Sequence, residues 1–284
     1  MTDSPSLPTS VRKWRALIES IGLTPSKGKG QNFLFERGVV DRIVRTAGVR
    51  PGDQVLEIGP GLGILTEALL AAGAIVTAVE LDWRLWPHLH ATFDATGRFR
   101  LVEGDAMVVP LETTLPPTPY RLIANLPYSV GTAIIRRFLE ADTPPTTVTV
   151  MVQKEVAERM TAGPPDLSIL GIATRYFGDP RLVFTVPPVV FYPAPRVDSA
   201  VIHLVVRPQP VPRPRREHFF SIVTAGFGQK RKNLGNSLAH GLGREKPPTV
   251  EWLEAAGIDP MRRAETLTLD EWVRLEKSDP ELPA

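Results

Sequence analysis

The sequence predicts an α/β fold: a seven-stranded, mostly parallel sheet with its last strand reversed, followed by a small all-helical domain. Three observations carry this. The apolar run Val55-Leu56-Glu57-Ile58 enters a turn with alternating Gly59, Gly61 and Gly63 and then residues that begin a helix, the strand–turn–helix order that opens a nucleotide-binding unit. Short β-branched runs alternate with helical spacing from residue 54 to residue 160, as a parallel sheet with covering helices requires. The proline-rich stretch Pro208–Pro214 then gives way to helical spacing alone, which marks a linker. The expected domains are therefore 1–207 and 208–284.

The elements follow in chain order. Val11, Trp14, Leu17, Ile18 and Ile21 sit at helical spacing and end at Gly22, a short amphipathic helix. Pro25–Gly30 reads as a flexible basic loop that leads through Gln31-Asn32-Phe33-Leu34 into a helix carrying Val39, Ile43 and Val44. A strand is expected at Gln54–Ile58, a helix at Leu65–Ala72 stopped by Gly73, and a second buried strand at Ala74–Val79. Trp83–Phe93 reads as a helix with Pro87 near its first turn, Phe99–Val102 as a third strand, Leu111–Pro119 as a proline-rich loop and Tyr120–Ala124 as a fourth strand. Ser129–Glu140 is expected to be helical, Thr146–Val152 a strand, Gln153–Met160 and Leu167–Phe177 helices. Arg181–Val186 and Val197–Val206 complete the sheet across a proline-rich crossing. Beyond the linker, helices are expected at His218–Gly226, Lys230–Leu238, Val250–Ala256 and Leu269–Leu275.

Composition narrows the function classes. The chain has no cysteine, which excludes a disulfide framework, a thiolate nucleophile and a Cys-ligated metal; no metal site is expected, and a reducing cytoplasm is the expected compartment. No apolar run approaches membrane-spanning length and residues 1–10 lack a signal-peptide core. The net charge is only +2, but Arg207–Lys246 holds nine Lys or Arg against two acids. A basic stretch in a near-neutral chain points to a polyanion. Lys230-Arg231-Lys232 is its densest part, and a solvated helix face competes for Arg213, Arg215 and Arg216.

The candidate site lies at the strand ends. Glycines in the first turn permit positive φ and close approach of backbone to ligand. Their spacing does not fit a dinucleotide fingerprint, because the third small position falls on Ile64 or Thr66. Glu80, at the tip of the second strand, is placed to bind both hydroxyls of a ribose, whereas Asp82 reads as solvated or helix-capping. Asp105 follows the third strand within Gly104-Asp105-Ala106, where a carboxylate can accept from the exocyclic amine of an adenine. The fourth strand delivers Asn125-Leu126-Pro127-Tyr128. An amide oxygen and a backbone carbonyl there can both accept from an exocyclic amine, and the Tyr128 ring can stack on a base.

Glu57, Gly59, Gly61 and Gly63 together resemble the first motif of S-adenosylmethionine-dependent methyltransferases. With Gly30–Leu34, Glu80, Gly104–Ala106, Asn125–Tyr128, Val152–Arg159, Pro195–Ala200 and Phe227–Leu234, the chain resembles the ribosomal RNA adenine dimethyltransferases of the small-subunit type over about Gly30 to Leu275. The resemblance implies a Rossmann-like methyltransferase domain, seven-stranded and mostly parallel, with a helical C-terminal domain that binds the ribosome. It implies S-adenosylmethionine as cofactor and, as substrate, two adjacent adenosines in the 3′-terminal hairpin loop of 16S rRNA, each dimethylated at N6 in an immature 30S subunit by a monomeric enzyme. By matched position, Asn32, Leu34, Gly59, Glu80, Asp105 and Asn125 contact the cofactor, joined by the loop residues Glu57, Gly61, Gly63 and Ala106. Asn125, Leu126, Pro127 and Tyr128 hold the target base; from their charge rather than from the match, Lys27, Lys29, Lys230, Arg231 and Lys232 are expected to meet RNA. Two alternatives stand beside it: a 23S rRNA adenine methyltransferase of the macrolide-resistance type, against which Asn125–Tyr128 and Gly30–Leu34 lean, and a non-catalytic 30S assembly factor, against which the intact glycine turn and Asn125–Tyr128 argue.

Overall fold

Continuous apolar runs become the central strands because parallel strands are covered on both faces. The computed structural model describes residues 7–8, 10–23 and 32–282. The chain runs through α1 (Val11–Ser20), β1 (Phe33–Leu34), α2 (Arg37–Ala47), β2 (Gln54–Ile58), α3 (Ile64–Ala71), β3 (Ile75–Glu80), α4 (Trp86–Phe93), β4 (Phe99–Glu103), α5 (Leu111–Thr114), β5 (Tyr120–Asn125) and α6 (Gly131–Leu139). It continues through β6 (Thr147–Gln153), α7 (Lys154–Thr161), α8 (Ile169–Phe177), β7 (Gly178–Val186), β8 (Phe191–Tyr192), β9 (Ser199–Val206), α9 (Arg216–Phe227), α10 (Leu234–Leu242), α11 (Lys246–Ala255) and α12 (Leu269–Lys277).

The seven-stranded sheet has the order β4-β3-β2-β5-β6-β9-β7. Pairs β4/β3, β3/β2, β2/β5 and β5/β6 are parallel, whereas β9 runs antiparallel to β6. The last strand is thus reversed, as expected, and it enters between β6 and β7 rather than at an edge. Parallel pairing places the C-terminal ends of β2, β3, β4 and β5 along one edge of the sheet. Val55, Leu56, Val76, Ala78, Leu122, Ile123, Val148 and Val150 are fully buried along these strands.

Several elements differ from expectation; among them, α11 begins at Lys246 rather than Val250 and β7 at Gly178 rather than Arg181. A second, two-stranded sheet pairs β1 with β8, with Phe33 opposite Tyr192 and Leu34 opposite Phe191; two residues are too few for a periodic signal. The supposed loop at Leu111–Pro119 contains the one-turn helix α5. Helix α4 begins at Trp86, with Pro87 in its first turn, where the missing N–H costs no hydrogen bond. Helix α10 begins at Leu234 rather than Lys230, because the Asn233 side chain accepts from the Asn236 N–H at 3.0 Å and caps the helix there. Lys230, Arg231 and Lys232 therefore occupy the preceding turn.

The chain divides into two compact units, 1–157 with 181–206, and 158–180 with 207–284. The second begins its C-terminal run at Arg207, next to the boundary read from the prolines, but it also recruits residues 158–180, which the sequence analysis assigned to the first domain. The reason is visible within the second unit: Tyr176 packs its ring against Phe219 and Phe220, and its hydroxyl donates to the Val211 carbonyl at 2.9 Å.

The core of the second unit centres on Trp272, which is fully buried and stacks with Phe227. Gly226 leaves room for it: a Cβ there would meet the Trp272 ring and lie 3.2 Å from Leu234 Cδ1. Overpacking of this kind costs about 1–3 kcal/mol. Gly226→Ala should lower the denaturant midpoint by a corresponding amount, with an unchanged slope, in equilibrium unfolding followed by Trp fluorescence.

Candidate functional site

The turn after β2 is built from its glycines. Gly59, Gly61 and Gly63 have φ of +67°, +57° and +87°, left-handed values that side chains with a Cβ disfavour. The three do different things. A Cβ on Gly59 would meet nothing within 4 Å, so that position opens onto space. A Cβ on Gly61 would lie 3.2 Å from the Phe33 ring, and one on Gly63 would lie 2.5 Å from the Phe93 ring. Gly63 therefore lets α3 start against α4, a packing role. The Gly59 N–H donates to the Val79 carbonyl at 2.8 Å and ties the turn to β3.

A cleft of about 780 Å³ opens at these strand ends. Of the candidates read from the sequence, Asn32, Leu34, Glu57, Gly59, Gly61, Glu80 and Asn125 through Tyr128 line it; Gly63, Asp105 and Ala106 do not. Asp105 lies beyond β4, with Oδ1 accepting the Met107 N–H at 2.8 Å. The loop after it is pinned by Arg137 of α6, which donates to the carbonyls of Ala106 and Val109 at 2.6 Å each. Lys230, Arg231 and Lys232 are exposed on the second unit, and Lys27 and Lys29 lie outside the described residues.

Glu80 is the hinge of the cleft's polar wall. Its Oε2 accepts the Gly61 N–H at 3.1 Å and its Oε1 the Asp82 N–H at 2.8 Å. One carboxylate thus binds the glycine turn to the tip of its own strand. Burial pushes its pKa up, while those two N–H groups stabilise the charged form and pull it back. Glu57, one strand over, is fully buried and accepts the Thr66 hydroxyl at 2.7 Å. Burial pushes the Glu57 pKa up to about 8; the Thr66 hydrogen bond opposes this and the nearby Glu80 charge adds to it.

At the end of β5, the Asn125 amide nitrogen donates to the Asn32 carbonyl across a long 3.5 Å. That contact uses the donor side of the amide and turns the acceptor oxygen Oδ1 away from Asn32. The Leu126 N–H donates to the Met151 carbonyl at 3.1 Å. Tyr128 is half-buried, and its hydroxyl is 2.6 Å from Ser199 Oγ.

Several lining residues escaped the sequence reading. Phe33 enters through the short β1–β8 pairing. Leu81 and Trp83, 66% and 68% exposed, stand at the tip of β3. Asp82 is not a solvated acid: it lines the cleft and holds Arg84 through Oδ1 at 2.8 Å and Oδ2 at 2.5 Å. Trp83 was expected within a helix, but the helix starts at Trp86 and the exposure of Trp83 is visible only in the structure.

Among the described residues no group of three His, Asp or Glu side chains is placed to hold a metal ion, and no helix is long and apolar enough to cross a membrane. The arrangement suits a ligand with a ribose-like diol at Glu80, a flat face against the apolar lip, and an amine directed at the end of β5.

The chain was compared with known proteins. Residues 25–279 match the family model described as "Ribosomal RNA adenine dimethylase". The chain is 43% identical over 272 residues to "Ribosomal RNA small subunit methyltransferase A" of Dehalococcoides mccartyi, covering 95% of this chain and 94% of the relative. It is 41% identical over 278 residues to the protein of the same name from Pelotomaculum thermopropionicum, covering 93% and 94%. Among solved structures, the 23S rRNA methyltransferase ErmE superposes with a TM-score of 0.70 at 31% identity, covering 87% of this chain and 99% of that one. A dimethyladenosine transferase from Plasmodium falciparum superposes with a TM-score of 0.73 at 23% identity, covering 86% and 96%, and shares the fold.

The elevated Glu57 pKa sets a pH dependence. The folded state keeps this proton to about pH 8, whereas the unfolded chain releases it in the ordinary carboxylate range. The stabilisation is complete below the unfolded pKa and is lost as pH rises toward the folded one. Thermal midpoints should therefore fall between about pH 5 and about pH 8, and Glu57→Gln should show a shallower fall in a calorimetric pH series.

Proposed function

The chain belongs to the ribosomal RNA adenine dimethylase family, and we propose that it dimethylates N6 of two adjacent adenosines in the 3′-terminal hairpin loop of 16S rRNA, acting as a monomer on the immature 30S subunit with S-adenosylmethionine as methyl donor. The single observation that carries the reading is the presence of Asn125–Tyr128 in the same cleft as the glycine turn and Glu80. The choice of small-subunit RNA rests on identity: 43% to a relative named for the small subunit against 31% to a 23S enzyme.

The residues present fit this cofactor. Gly59 leaves an open face on the turn, Glu80 offers a buried carboxylate at the strand tip, and Leu81 presents an apolar surface beside it. Glu80 would hold the ribose hydroxyls, with Asn32, Leu34, Glu57, Gly61 and Asn125 completing the wall; Asp105, beyond the lining, is assigned to the adenine amine. Gly63 and Ala106 support the loops around them. When bound, the cofactor supplies an electrophilic methyl group on a sulfonium.

The chain's own contribution is alignment. The N6 lone pair of adenine is delocalised into the ring and is a weak nucleophile. Asn125 Oδ1 and the Leu126 carbonyl accept hydrogen bonds from its two N–H groups and draw the nitrogen toward a tetrahedral geometry, which frees the lone pair. Pro127 shapes the turn that presents that carbonyl. Tyr128 stacks on the extruded base, worth roughly 1–3 kcal/mol, and so offsets part of the stacking lost in the loop. Holding nucleophile and methyl in line removes a large entropic barrier. Once the methyl is bonded to N6, the cationic nitrogen releases one proton to water; one N–H then remains, so a single acceptor suffices for the second transfer.

The experiment is transfer of labelled methyl to undermethylated 30S particles, mature 30S particles and protein-free 23S rRNA. Labelling of undermethylated 30S alone, recovered as dimethyladenosine, is expected. Labelling of 23S rRNA would move the chain to the resistance type, and tight 30S binding without transfer would make it an assembly factor. Neutralising Lys230, Arg231 and Lys232 together should also flatten the salt dependence of RNA binding, since each phosphate contact contributes close to one unit of logarithmic slope; an unchanged slope would remove them from the interface.

A further inference from the structure

Tyr128 stands outside the regular structure that surrounds it. It lies three residues beyond the end of β5, in the turn that leads to α6. Two backbone hydrogen bonds hold that turn, from Leu126 to Met151 and a longer one, 3.3 Å, from Val130 to Pro127. Neither fixes the direction of the phenol ring. A ring that is to stack on an extruded base must be aimed, and a free tyrosine side chain samples several rotamers.

The aim comes from a distant strand. Tyr128 Oη and Ser199 Oγ are 2.6 Å apart, a short hydroxyl–hydroxyl bond. Ser199 is the first residue of β9 and is fully buried. The antiparallel ladder sets it opposite Gln153, and the Asp198 carbonyl just before it accepts the Lys154 N–H at 2.9 Å. The position of its hydroxyl is therefore set by the sheet. Strand β9 is separated from β5 by β6, roughly 10 Å away at ordinary strand spacing, so the tyrosine side chain must reach across the end of β6 to make this bond.

We propose, on the basis of the methyl-transfer function above, that Ser199 is a positioning residue: it tethers the Tyr128 hydroxyl and so holds the ring in the orientation that receives the target adenine. The reversed strand thereby acts on the base-binding end of the cleft without touching the substrate. Removal of the Ser199 hydroxyl leaves the phenol without this partner and frees the ring to turn, which lowers the fraction of enzyme in the productive geometry. A displacement of about 1 Å at such a group can cost up to about a hundredfold in rate. The cofactor side of the cleft, built on β2 and β3, does not depend on this bond.

The test is a double-mutant cycle with Ser199→Ala, Tyr128→Phe and the combination, assayed on undermethylated 30S particles, with S-adenosylmethionine affinity measured alongside by calorimetry. The expected result is a roughly ten- to hundredfold loss of kcat in each single variant, no further loss in the double variant, and an unchanged cofactor affinity. A Ser199→Ala enzyme with wild-type kcat, additive losses in the double variant, or a parallel loss of cofactor affinity would each overturn the tether. A wild-type protein that transfers no methyl to any RNA would instead overturn the function on which the tether rests.

Discussion

The interaction on which the cleft depends is the carboxylate of Glu80 bridging the Gly61 and Asp82 amides. It ties the glycine turn of one strand to the tip of the next. It adds a side-chain link to the Gly59–Val79 backbone bond that already ties this turn to β3. The carboxylate can serve in this way only because parallel pairing of β2 and β3 brings both C-terminal ends to one edge. It is also costly: a buried carboxylate is tolerated where hydrogen bonds to its charged form offset desolvation. Glu57 next to it resolves the same problem differently, by keeping its proton to about pH 8. The two acids share one wall: burial pushes both pKa values up, and only the Glu80 carboxylate has two backbone N–H groups opposing that rise.

The opposite end of the cleft follows another logic. Asn125, Leu126 and Tyr128 lie at or just beyond the end of β5 and line the same cleft, with no acid among them. Acceptors without strong basicity suit an amine whose lone pair must attack rather than be protonated. The two ends thus differ in chemistry, a buried carboxylate at one and a side-chain amide with a phenol at the other, and both are presented by a single run of parallel strands.

The second unit carries its own stabilising network. Asp279 is fully buried and accepts from His218 at 2.9 Å and from Arg244 at 2.8 and 3.1 Å. Helix α12 begins with a reciprocal capping box between Thr268 and Glu271, and Arg262 holds the same glutamate, which keeps the Glu271 carboxyl below its ordinary pKa.

What could be read from residue order was local. The strands of the main sheet showed as apolar runs, the glycine turn as its spacing, and Asn125–Tyr128 as a polar and aromatic set at a strand end; each signal sits within a dozen residues. The proline linker marked one edge of the C-terminal unit for the same reason. Other features depended on contacts between distant segments. Phe33 meets Tyr192 in a two-residue pairing with no periodicity to detect. Residues 158–180 join the second unit through Tyr176 against Phe219 and Phe220. The helix cap at Asn233 excluded the basic cluster from α10, although helical spacing alone included it. Ser199 lay within a motif that could be quoted but not interpreted, because its partner is 71 residues away in the chain. Propensity and spacing act over a few turns of backbone, whereas the aim of a side chain depends on what the folded sheet brings beside it.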